Sequence, residues 1–157
     1  MVKIRCKNTN CFVNVEEGTT LFEFFQQIKS EIGFEPICAR VNNRITPLDM
    51  RIYRNLDVEF LPYREGSASR TYSRTLFFIL AKAVHDFYPK GMMTVNNPVS
   101  NGYYCTVDTG NSPLEPTDIE KIKQRIQAII DADMKIVRNE STTEDAIETF
   151  TNIGMES

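Results

Sequence analysis

One histidine, His85, occurs in the 157 residues, near the end of the stretch TYSRTLFFILAKAVHDFYP at residues 71–89. An imidazole can serve as a general base or a metal ligand near neutral pH, but either role needs partners at fixed spacing. The four cysteines, Cys6, Cys11, Cys38 and Cys105, form no CxxC pair and have no histidine close by. A structural zinc site normally draws on closely spaced Cys or His ligands. The thiols therefore read as small reduced core hydrophobes, with no metal site and no catalytic residue. Cys6 shares strand parity with Val2 and Ile4, and Cys11 with Val13 and Val15. His85 reads as a partly exposed helix residue. No GxxxxGK[ST] run is present to cradle nucleotide phosphates.

Charge offers a second kind of chemistry. The chain carries a net charge of −3, although residues 1–63 balance eight basic against eight acidic side chains. A domain devoted to nucleic acid would show a basic face. From Arg64 to Lys90 there is a local excess of Arg64, Arg70, Arg74, Lys82 and Lys90 over Glu65 and Asp86. That excess has two readings: a solvated helix face, or an anion or RNA-backbone contact made by Arg70, Arg74 and Lys82. No run approaches the ~18 apolar residues of a membrane helix. The start MVKIRCKN alternates apolar and basic residues, unlike a secretory signal, so the default expectation is a cytoplasmic protein.

These residues need elements to hold them. VKIRC and CFVNV alternate at period two around the polar link KNTN, the pattern of a hairpin. Thr20 and Glu23 have capping-box spacing, and Leu21, Phe24, Phe25 and Ile28 fall on one helical face until Gly33 and Pro36 stop it. ICARV predicts a strand with Ile37, Ala39 and Val41 on one side, Asn42-Asn43 a tight turn, and LDVEFLP a last strand. YREGSAS reads as a link between two halves. The helix after it has an apolar surface broad enough to predict extensive burial. MTVNNPVSNGYYCTVDTG predicts two strands around a turn made by Pro98, Ser100, Asn101 and Gly102. A helix capped by Thr117 and Glu120 follows, with Ile119, Ile122, Ile126, Ile129 and Ile130 on one face. KIVRN then reads as a strand. A final helix, capped by Ser141 and Glu144 and ended by Gly154, carries Ala146, Ile147 and Phe150.

The order CFVNVEEGTTLFEFFQQI, ICARVNNRITPLDMRI, NLDVEFLP resembles the TGS domain of threonyl-tRNA synthetases, some GTPases and guanosine-tetraphosphate synthetase/hydrolases. The resemblance implies a β-grasp (ubiquitin-like) domain over residues 1–63, non-catalytic and serving as an adaptor or ligand sensor. Residues 64–157 are similar to the second additional domain of threonyl-tRNA synthetases, shared with alanyl-tRNA synthetases and free-standing editing proteins. NPVSNGYYCTV, IEKIKQRIQAII and EDAIETF carry this likeness. The whole is then α+β, with a β-grasp domain followed by an editing-like α+β domain that the resemblance implies is truncated at Ser157.

That family hydrolyses mischarged tRNA with an HxxxH pair and a later Cys and His. The resemblance places Arg74 and Phe78 where the pair belongs. A guanidinium is neither base nor ligand near neutral pH, and a phenyl ring is neither at any pH. In the hairpin, Tyr103 and Tyr104 keep the family's aromatics, while Cys105 and Thr106 depart from its Tyr and Asp. Arg74, Phe78, Tyr103, Tyr104 and Cys105 are thus candidates to line a residual cleft, with structural packing the other reading of the tyrosines. The same pair of modules without editing residues occurs at the N-terminus of bacterial uridine kinase-like proteins. The expectation is a non-catalytic regulatory module of such a nucleoside kinase, partnered by a downstream kinase domain of the same polypeptide. ATP and Mg would be needed only by that domain. Such a module could bind a nucleotide, a tRNA-like element or the neighbouring domain. The alternative is a degenerate synthetase or editing-type module that binds tRNA without hydrolysing it. Hydrolysis through Cys105 is disfavoured because no base is positioned for it.

Overall fold

Thr20 starts the first helix as the spacing predicts. Its hydroxyl accepts from the Glu23 N–H at 3.1 Å, and the Glu23 carboxylate accepts from the Thr20 N–H at 2.7 Å, closing a capping box. Helix α1 (Leu21–Ile32) ends at Gly33, whose φ of 72° is the left-handed cap that glycine adopts without a Cβ clash. The computed structural model describes residues 1–100, 102–110 and 113–152. They form a mixed α+β structure that divides into two compact units, Met1–Thr75 and Leu76–Ser157.

In the first unit, β1 (Val2–Cys6) and β2 (Cys11–Val15) form the predicted hairpin, with Val2 opposite Val15 and Cys6 opposite Cys11. β3 (Pro36–Val41) turns back through Asn42 and Asn43, with φ of 47° and 67°. Two successive left-handed residues suit a two-residue hairpin turn. The return strand β4 (Arg44–Thr46) is short and was not evident in the sequence. β5 (Leu56–Pro62) completes a five-stranded sheet of order β2-β1-β5-β3-β4, parallel only between β1 and β5. Asn8 extends that parallel seam: its amide group donates to the Phe60 carbonyl at 3.0 Å and accepts from the Phe60 N–H at 2.7 Å.

The core of this unit lies between α1 and the sheet. Leu21, Phe24, Phe25 and Ile28 pack with Ile4, Val15, Val41, Val58 and Phe60, and the rings of Phe24 and Phe25 stand 5.7 and 5.5 Å from that of Phe60. Each such side chain contributes about 1.5–3 kcal/mol by leaving water. Ala39 and Val41 join this core as predicted. Ile37 does not, because a register shift between Pro36 and Cys38 re-aims the strand.

Helix α2 (Gly66–Phe87) corrects the expected link: Gly66 to Ser69 are its first turn. Glu65 explains this, since its carboxylate accepts from the N–H groups of Ser67 (2.7 Å) and Ala68 (3.2 Å) and also pairs with Arg40 (3.1 Å). Burial pushes the Glu65 carboxyl up, but those N–H bonds and Arg40 prevail and hold it below its ordinary value. Ala68 is buried against Cys38 and Leu61. The division between units falls within α2, after Thr75.

In the second unit, β6 (Met92–Val99) and β7 (Gly102–Asp108) pair antiparallel, with a register shift between Val95 and Pro98. Pro98 and Gly102 therefore belong to strands, Ser100 has a φ of 53°, and Asn101 lies outside the described residues. At Gly91 a Cβ would fall 2.9 Å from the Asp108 carbonyl oxygen, so only glycine permits that approach. Helix α3 (Pro116–Asp131) begins at Glu115 rather than Thr117: Pro116 takes the first turn, and the Glu115 N–H donates to Asp118 at 3.2 Å. Ala83, Val84, Ile122 and Ile129 are buried together.

Several expectations fail here for one reason. α2 is not largely buried: Leu76, Phe78 and Phe87 are exposed. Ile119 and Ile130 are also exposed. KIVRN is not a strand; Ile136 and Val137 are exposed and unpaired in the two-stranded sheet. Helix α4 (Thr143–Asn152) buries none of its residues. Its cap is Thr142, whose hydroxyl accepts from Asp145 at 3.2 Å, not Ser141. Gly154 lies outside the described residues. An apolar stripe is covered only where a facing layer exists, and a two-stranded sheet supplies little. Among the described residues no helix is long and apolar enough to cross a membrane.

Candidate functional site

The residues singled out from sequence are divided between the two units. Arg70 and Arg74 are exposed on α2 in the first unit, and among the described residues neither is in a salt bridge; an Arg70 guanidinium N–H donates to Ser67 at 3.3 Å. Phe78, in the second unit, is 61% exposed. Lys82 is held by Asp86, which also takes Arg125 at 2.7 Å, so its charge is partly offset locally. The Lys82 hydrogen bond, opposed by burial and aided by Arg125, holds the Asp86 carboxyl below its ordinary value.

Tyr103 packs edge-on against Phe77, centroids 4.8 Å apart, rather than against Phe78. Tyr103, Tyr104 and Cys105 are consecutive in β7, so Tyr103 and Cys105 share one face and Tyr104 leaves from the other. Both tyrosines are exposed, and the Cys105 thiol is 4.0 Å from the Tyr103 carbonyl oxygen. His85 is half-buried, and its Nε2 is buried with no hydrogen-bond partner. Among the described residues it has no hydrogen-bonded nucleophile to activate and no hydrogen-bonded group to orient it.

The thiol reading divides. Cys6 and Cys38 are buried as expected, and burial pushes the Cys38 thiol up. Cys11 is exposed and Cys105 partly so. Burial along β2 rises from Cys11 to Val15, so parity assigned the face correctly but not the coverage.

What the sequence did not reveal is a basic rim on the first unit. A depression of about 580 Å³ is lined by Arg44, Arg51 and Arg54 together with Tyr53, Asn42 and Thr46. Another of about 370 Å³, lined by Lys3, Arg5, Phe12, Asn55 and Asp57, shares Asn42 and Leu56 with the first. The even balance of eight basic and eight acidic side chains over residues 1–63 hides this grouping. The spacing Arg44, Arg51, Arg54 beside Tyr53, just after the Asn42-Asn43 turn, was the available signal.

No family model matches the chain. It is 30% identical over 138 residues, 88% of its length, to the threonine–tRNA ligase of Symbiobacterium thermophilum. The chain is similar to threonine–tRNA ligases. It is also 28% identical to the Natranaerobius thermophilus threonine–tRNA ligase over 154 residues, and 25% identical to that of Clostridioides difficile over the same number, in each case 98% of the chain. The chain spans only 21–24% of the length of these threonine–tRNA ligases. They support the tRNA-linked alternative drawn from the sequence better than the kinase-module reading.

Proposed function

We propose that this chain is a non-catalytic tRNA-binding module, related to the N-terminal region of threonine–tRNA ligases, that contacts charged or uncharged tRNA without hydrolysing it. The similarity to those ligases over up to 98% of the chain carries this reading. Residues 1–63 correspond in this proposal to a TGS-type β-grasp domain and residues 64–157 to an editing-type domain. The five-stranded sheet around α1 is compatible with the former. In the second domain Arg74 and Phe78 replace the histidine pair, which leaves the position without a base. Arg70 and Arg74, exposed and outside any salt bridge among the described residues, are suited to phosphate contacts. Tyr103, Tyr104 and Cys105 remain candidates for a residual cleft, with Lys82 a weaker contact because Asp86 holds it. The kinase-module reading, with its ATP and Mg, gains no support from the relatives.

Fluorescence anisotropy with a threonine-specific tRNA tests the proposal. Binding at low salt should weaken as salt rises, since each phosphate contact releases counterions. Arg70→Ala/Arg74→Ala should lower both affinity and salt slope, and seryl-tRNA should stay intact. Absence of binding at low salt overturns the reading. Seryl-tRNA hydrolysis lost in Cys105→Ala would instead establish a hydrolase.

A further inference from the structure

We infer that the arginine-rich rim of the first unit is a docking track for single-stranded RNA, with Tyr53 as its stacking platform and Arg44, Arg51 and Arg54 as phosphate contacts. The reading above contributes only the choice of RNA over DNA; the site itself stands on its lining residues. Across the two adjoining depressions there are five cations, Lys3, Arg5, Arg44, Arg51 and Arg54, and one carboxylate, Asp57. A chain of net charge −3 has concentrated positive charge here. Among the described residues none of the five side chains is in a salt bridge. By contrast Arg40, on the neighbouring strand, is clamped by Glu59 and Glu65 at 2.7 and 3.1 Å. Guanidinium forks outside salt bridges match phosphate oxygens in geometry and charge, although Arg51 already gives one N–H to Gly18.

Aromatic exposure is the second feature. Tyr53 and Phe12 are 65% and 64% exposed, and each lines one of the depressions. Lys3 sits 4.5 Å from the centroid of the Phe12 ring. A cationic groove interleaved with aromatic faces is how proteins hold unpaired strands, because every base offers a π face. The larger depression is of a size to admit a nucleotide. Continuity through Asn42 and Leu56 lets the strand run on into the smaller one.

The rim is also fixed before any ligand arrives. Arg51 donates to the Gly18 carbonyl at 2.9 Å, and the Ile52 N–H donates to Thr19 at 2.9 Å, pinning the segment that carries Tyr53. Asn42 is bound to Asp57 twice, through its N–H to the Asp57 carbonyl and through its Oδ1 from the Asp57 N–H, both at 3.0 Å. Stacking on Tyr53 requires a base already free of its helix, which favours single strands over duplex.

The test uses the full chain and a short labelled oligoribonucleotide without secondary structure. Binding at low salt is expected, and Tyr53→Ala should weaken it about tenfold or more. Arg44→Ala and Arg54→Ala should each reduce the log–log salt slope by about 0.7. Arg51 is left intact because it also holds Gly18. Lys123→Ala, outside the rim and paired with Glu120, should change neither quantity. The inference is overturned if the oligonucleotide fails to bind at low salt, or if Tyr53→Ala and Arg54→Ala both behave as wild type. Equal binding of a blunt duplex with Tyr53→Ala silent overturns it too. So does adenosine monophosphate binding as tightly as the oligonucleotide with the same variant sensitivity, which would mark a free-nucleotide site. Failure of intact tRNA to bind, with oligonucleotide binding still dependent on Tyr53, would count against the proposed function and for this site.

Discussion

Both units are built from amphipathic elements, yet they bury them to very different extents. In the first, a twelve-residue helix lies on a five-stranded sheet and fourteen residues form one buried cluster. In the second, a two-stranded sheet and helices up to sixteen residues long within the unit's own span bury a cluster of four. Phe87, Ile119, Ile147 and Phe150 stay exposed there. Hydrophobic periodicity states which side of an element is available for burial; the number of facing strands determines how much of it is used.

Substitutions can break or sharpen this contrast. Phe24→Ala should have the largest effect, costing the first unit about 3–5 kcal/mol in urea melts followed by amide exchange of α1. A loss no greater than that of a surface change would dissolve the contrast at its strong end. Thr20→Ala removes the cap of the same helix and should cost about 1 kcal/mol. It should also flatten part of the acid dependence. The bonds from the Thr20 backbone and hydroxyl hold the Glu23 carboxyl below its ordinary value. Its contribution is therefore present above the unfolded glutamate range and fades as pH falls through the lowered folded value.

In the second unit the expected effects are smaller. Asp86→Asn should cost under about 1 kcal/mol, because Lys82 and Arg125 remain partly hydrated when they lose it. Since the folded Asp86 pKa is depressed, the wild-type advantage should be complete above about pH 4 and vanish as pH drops through the folded value. Parallel acid titrations of the two proteins, read by thermal melting, should converge at the low end. Ile147→Ala on α4 should change stability by no more than about 0.5 kcal/mol, since the side chain is 62% exposed. A loss approaching that of Phe24→Ala would mean that α4 is covered in solution.

Local chemistry was legible where it acts over a few residues. Thr20 and Glu23, Gly33, and the Asn42-Asn43 turn each fulfil in the structure the role their types predict. The start of α2 was obscured because Gly66, Ser67 and Ser69 read as a link, whereas Glu65 satisfies the N–H groups that make them a helical turn. KIVRN has the composition of a strand, but a strand exists only with a neighbour to bond. Three-residue β4 had the opposite problem: almost no pattern, and a partner supplied by β3. The candidate contacts on α2 could be named from charge alone. The rim around Tyr53 could not, because β1, β4 and the segment after Pro47 converge on it from distant parts of the chain.

The seam between β1 and β5 has a bearing on biosynthesis. The strand made last is the one that must occupy the middle of the sheet. Until residue 62 clears the ribosome, the early hairpin and the one turned by Asn42-Asn43 lack their common neighbour. Each leaves open edges, and the phenylalanines of α1 have only half a floor to settle on. The nascent chain therefore waits on one short segment, and a pause in translation before it would leave those edges free to join another chain.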